Sequence, residues 1–153
     1  MPSTINQYFA ADHDRLDALF AFVFNSYQAT PDRALEAFKV FHQGLIIHIA
    51  WEEQVLFPVF EAATGMSGGP THVMRIEHER IKRLCDDALT AFADANEQLT
   101  DSLQQLQAML EEHNYKEEHI LYPAIDSLLD EQALANVFVS MAKVADQSAQ
   151  AAA

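Results

Sequence analysis

Residues His48–Pro58 and His113–Pro123 carry the same pattern, H-x-x-x-E-E-x-x-L-[FY]-P, at an offset of 65 (113 − 48). The same offset aligns Asp12-His13-Asp14-Arg15-Leu16 with Glu77-His78-Glu79-Arg80-Ile81. The chain therefore reads as one unit written twice, over roughly residues 4–65 and 69–130. Each copy has a histidine on its first segment and, 35 positions later (48 − 13, 113 − 78), a histidine followed by a glutamate on its second.

The repeat unit is a helical hairpin. Breakers are confined to Pro2, Thr30-Pro31, Pro58, the stretch Gly65 to Pro70, and Pro123, with helix-length segments between them. The first helix starts near Ser3 or Thr4, either of which can cap it, and carries Phe9, Leu16, Leu19, Phe20 and Phe24 as one apolar stripe. Thr30 is expected to cap the second helix, with Pro31 at its first position and Asp32 in its first turn. That helix runs to about Ala63, with a kink or fraying expected at Pro58. A third helix spans about Thr71 to the mid-90s, and a fourth about Asp101 to Leu129. A shorter fifth covers Glu131 to about Asp146. Four long segments with short links predict an all-α, antiparallel up-down four-helix bundle with a short C-terminal helix. Residues 1–147 make one domain and residues 148–153 a disordered tail.

Residues four apart on an α-helix lie one turn up and about 40° round, so His48 with Glu52, and His113 with Glu117, can grip one object. A pseudo-twofold axis between the halves brings these pairs, with His13 and His78, into one layer. The neighbouring stripe positions are apolar: Leu45 and Val55, Leu110 and Ile120, Leu16 and Ile81. The layer is therefore expected inside, and no Lys or Arg shares the stripe to neutralise its carboxylates. A cation supplies the missing charge. Nitrogen and oxygen donors without thiolate favour two iron ions, with manganese or zinc as alternatives. One ion takes His13 and His48, the other His78 and His113, and Glu52 and Glu117 bridge them. Each ion then keeps an open position. The competing reading, a metal-free His–Glu hydrogen-bond network, leaves too many polar groups in one core layer.

This arrangement resembles the hemerythrin-like, or HHE cation-binding, family, four-helix bundles that hold an oxo-bridged non-haem di-iron centre. The resemblance runs from His13 to Pro123 and implies ligand roles for His13, His48, Glu52, His78, His113 and Glu117. The oxygen carriers of that family have a further histidine one turn before the third-helix ligand, where this chain has Met74. In having four histidines the site is similar to the family's iron-centre-repair and iron-sensing branches, although the Cys-bearing N-terminal extension of the repair proteins is absent.

Other polar and aromatic positions carry less. His42, His72 and His119 align with Gln107, Gln7 and Gln54, and are expected at the surface or, for His72, at a pocket mouth. Glu53 and Glu118 suit an outer or exposed role. Trp51, Phe57, Tyr122, Met74 and Met109 read as core, Cys85 as a buried filler, and Tyr115 as the aromatic able to reach the metals.

Composition narrows the partners. Acidic residues outnumber basic ones 23 to 9, a net charge of −14, which argues against nucleic acid and anionic membranes. No apolar run approaches the ~20 residues that span a bilayer. One cysteine and no signal-peptide pattern point to the cytoplasm. The expected function is binding of O2, NO or H2O2 at a di-iron site for sensing, iron handling or oxidative and nitrosative stress protection. The alternatives are a di-iron oxidase or peroxidase, an oxygen carrier, and a structural interaction module; self-association into a homodimer stays open.

Overall fold

Thr4 opens the first helix with a reciprocal cap: its hydroxyl accepts from the Gln7 N–H, and the Gln7 side chain accepts from the Thr4 N–H, both at 3.1 Å. The computed structural model of the chain describes residues 3–95 and 97–152, with side chains to residue 149. Pro2 and Ala153, expected as a breaker and as the end of the tail, lie outside the described residues, as do Met1 and Asn96.

Helix α1 (Ile5–Ser26) is followed by α2 (Pro31–Trp51), which passes through a π segment (Glu52–Leu56) into α3 (Phe57–Thr64). The second half repeats this order: α4 (Pro70–Ala93), α5 (Leu99–Lys116), a second π segment (Glu117–Leu121) and α6 (Tyr122–Asp126). Helix α7 (Glu131–Ala152) completes an all-α bundle with no strand among the described residues. Gly65 ends α3 in the left-handed conformation, φ 72°, a position that favours glycine.

Three local expectations are corrected. Thr30 makes no side-chain cap; its hydroxyl donates back to the Ser26 carbonyl at 3.2 Å, while Pro31 occupies the first turn as expected. Pro58 produces no fraying. Its ring crowds the carbonyl four residues back, and the helix widens by one residue so that the Phe57 N–H bonds to the Glu52 carbonyl. The last helix continues past Asp146 to Ala152, so the expected tail is helical that far, in keeping with the high helix propensity of alanine.

Two apolar clusters fill the bundle. One holds Leu16, Phe20, Phe38, Phe41, Leu45, Ile81, Leu106 and Leu110; the other holds Phe9, Leu56, Phe57, Phe60, Tyr122, Ile125, Val137 and Met141. The histidine layer lies between them. Asp126 ties the ends of the bundle together by accepting from the Ile5 and Asn6 N–H groups at 2.7 and 3.0 Å, a carboxylate at a helix N-terminus.

Helix α7 covers only one half of the bundle. Phe138 lies 5.1 Å from the Tyr8 ring, and the Trp51 indole N–H donates to the Met141 carbonyl at 3.0 Å. Val55 is buried there, whereas its counterpart Ile120, expected to flank the site, is 61% exposed.

Candidate metal centre

His13 comes from α1, His48 from the last turn of α2, His78 from α4 and His113 from the last turn of α5. Glu52 and Glu117 are the first residues of the two π segments. None of the six is more than 3% exposed. The structure thus gathers all six into one layer.

The imidazoles fall into two pairs, His13 with His48 at 4.7 Å and His78 with His113 at 4.9 Å between ring centres. Each carboxylate reaches across the pairs. Glu52 Oε1 lies 3.4 Å from His48 Nε2 and 3.3 Å from His78 Nε2. Glu117 Oε1 lies 3.3 Å from both His13 Nε2 and His113 Nε2. Ligand atoms of Glu52, His78, His113 and Glu117 come within 4.8 Å of one another, and so do those of His13, His48 and Glu117.

A second ring of carboxylates faces the outer nitrogens. His48 Nδ1 donates to Asp12 at 2.8 Å, and His113 Nδ1 to Glu77 at 2.9 Å. Glu118 and Glu53 stand 3.5 and 3.6 Å from the Nδ1 atoms of His13 and His78, close enough for charge attraction but long for hydrogen bonds. These four also obey the 65-residue offset (77 − 12, 118 − 53). Sequence reasoning gave Glu53 and Glu118 an outer role but passed over Asp12 and Glu77, whose signal was their place beside the repeated histidines. Arg15 and Lys116 hold Asp12 and Glu77 in turn.

The aromatic expectation is reversed. Tyr115 is 59% exposed and stacks on His119. Tyr122 instead enters the layer, donating toward Glu52 Oε2 at 2.9 Å and Glu117 Oε1 at 3.0 Å. Its counterpart Phe57 stacks parallel to His78 at 5.7 Å. The remaining histidines stay outside the layer: His42 stacks on Phe38, and His72 and His119 are exposed. Met74 packs in the apolar cluster, and Cys85 is buried, which pushes its thiol up to about 12.

Charge in the layer is unevenly held. Burial, with the Glu117 charge beside it, drives Glu52 well above the ordinary carboxylate range. Burial also opposes ionisation of Glu117, but the His113 charge together with hydrogen bonds from Glu52, His113 and His13 holds Glu117 well below that range. For His113 the penalty of burial is overcome by Glu117, and its value rises to about 9. His48 moves down because burial exceeds the help from Asp12. Glu77 is lowered chiefly by its hydrogen bond to His113, and Glu53 is lowered chiefly by the nearby His78 ring. Burial and the two carboxylates raise Tyr122 well above 10, so its hydroxyl keeps its proton.

Hydrogen bonding within the layer is incomplete without a cation. Among the described residues no Lys or Arg pairs with Glu52 or Glu117, and buried His13 Nδ1, His78 Nδ1, His78 Nε2, Glu52 Oε1 and Glu117 Oε2 have no hydrogen-bond partner. Such atoms fit metal coordination: nitrogen and carboxylate oxygen aimed at common points, with the imidazoles oriented from behind.

A buried layer of imidazoles and carboxylates between antiparallel helices defines a cation-binding helical bundle. The family model described as the hemerythrin HHE cation binding domain matches residues 4–125, and the chain belongs to that family. No curated protein and no solved structure matches the chain. No described helix is long and apolar enough to cross a membrane.

Proposed function

We propose that the chain is a di-iron protein whose centre, held by His13, His48, Glu52, His78, His113 and Glu117, binds O2, NO or H2O2. Its role is sensing, iron handling or protection against oxidative and nitrosative stress. The observation that carries this reading is the convergence of buried imidazole and carboxylate atoms, with His78 Nε2, Glu52 Oε1 and Glu117 Oε2 orphaned, in a layer without Lys or Arg. Two bound iron ions would supply open coordination positions and electrons for such a ligand. The chain's own residues do the rest. Asp12 and Glu77 accept from the Nδ1 atoms of His48 and His113 and so turn both Nε2 atoms inward. Glu52 and Glu117 each lie against one imidazole of each pair, and so would hold both ions together. The apolar clusters above and below keep out water and anions, and the net charge of −14 adds to that exclusion, leaving small uncharged ligands.

The alternative, a di-iron oxidase or peroxidase, draws on Tyr122, whose hydroxyl places a proton donor inside the layer. Stopped-flow mixing separates them: stoichiometric, reversible binding supports the first reading, and catalytic consumption of O2 or peroxide the second.

The test of the centre itself is elemental analysis of natively purified protein. We expect two iron ions per chain with near-ultraviolet charge-transfer bands, and loss of those bands in His48→Ala and Glu117→Ala at nearly unchanged helicity. A folded native protein without iron, manganese or zinc overturns the reading.

A further inference from the structure

We infer that the two metal positions are unequal and fill in order, the His78–His113 position first and the His13–His48 position second, because the Tyr122 hydroxyl obstructs the latter. This rests on the two-metal reading above and goes beyond it.

The six inner residues match at the 65-residue offset; among the residues around them Asp12 stands opposite Glu77, Phe9 opposite Met74 and Tyr122 opposite Phe57, and of these only the last pair sets a polar group against an apolar one. On the Phe57 side an apolar ring lies flat against His78 and offers nothing that competes for a donor atom. Four side chains there, Glu52, His78, His113 and Glu117, already point their ligand atoms at one small region. An ion meets a preformed cradle.

On the other side only three such side chains converge, His13, His48 and Glu117. The Tyr122 hydroxyl lies 3.5 Å from His13 Nε2 and 3.4 Å from His48 Nε2, while donating toward both carboxylates. Metal–imidazole bonds are about 2.0–2.1 Å long for a zinc-sized ion. An ion bonded to both nitrogens therefore competes with the hydroxyl for the space. Tyr122 is fully buried, with its ring 5.1 Å from that of Phe9, so its withdrawal disturbs packed neighbours as well as hydrogen bonds. The second ion must move the hydroxyl from between His13 and His48, whereas the first meets it only at the shared carboxylates.

The test is an anaerobic titration of the full-length, metal-free protein with Fe(II) by calorimetry and with Co(II) by its visible absorption. We expect two steps of one equivalent each, with dissociation constants at least tenfold apart. Tyr122→Phe should keep the first step and tighten the second, so that the two approach one another. The mirror variant Phe57→Tyr should weaken the first step. Circular dichroism of each variant checks the fold. A wild type that takes up both ions in a single step, or a second step unchanged in Tyr122→Phe, overturns the ordering while leaving the two-metal reading standing. No uptake by the wild type ends both.

Discussion

An imidazole that binds a metal through one nitrogen depends on what holds the other, and here four carboxylates are placed to do so at two grades of contact. Asp12 and Glu77 accept close hydrogen bonds, whereas Glu53 and Glu118 stand 3.6 and 3.5 Å away. Replacing Asp12 with Asn or Glu77 with Gln removes the charge that favours Nδ1–H. Loss of such a partner typically weakens metal affinity about 10–100-fold. Competition with a chromophoric chelator should show that loss for Asp12→Asn and Glu77→Gln, and a smaller one for Glu118→Gln. The six inner side chains were legible in the sequence because each recurs at one offset. Asp12 and Glu77 recur equally, but an acidic residue beside a histidine on a helix also suits an exposed face. Only the approach of a neighbouring helix reveals its partner.

At the level of elements, the π segments explain where sequence reasoning failed. Tyr122 follows Glu117 by five residues, about 140° round an α-helix and thus off its face. A turn closed by i→i+5 bonds brings the fifth residue back over the first, so Tyr122 faces the layer while Ile120 turns outward. The prolines flagged an irregularity in the sequence, but not that the helix would widen instead of breaking. The equivalent Val55 is covered because α7 passes over it. Helix α7 was expected as an element, yet it lies outside the repeat, so symmetry gave no guide to where it docks. Met141→Ala should cost about 2–5 kcal/mol in urea unfolding. Because Trp51 is the chain's one tryptophan and its indole bonds to the Met141 carbonyl, a red shift of its emission should report loosened docking of α7.

Across the whole molecule, the polar layer separates two apolar clusters that would otherwise form one core. Metal-free protein keeps unpaired polar atoms at its centre, so binding and folding are coupled. At free metal 100-fold above its dissociation constant, one bound ion adds about 2.7 kcal/mol, and the melting temperature should rise by about 5–10 °C. Differential scanning calorimetry with and without a chelator measures the shift; equal melting temperatures would contradict the coupling. The bundle itself was legible because its apolar stripes and breakers agree along the whole chain. Sealing the histidine layer between those clusters has a consequence for electron supply. If iron is bound there as proposed, a protein reductant docked on the surface could not touch it, and electrons would tunnel through intervening side chains at a rate governed by distance and packing.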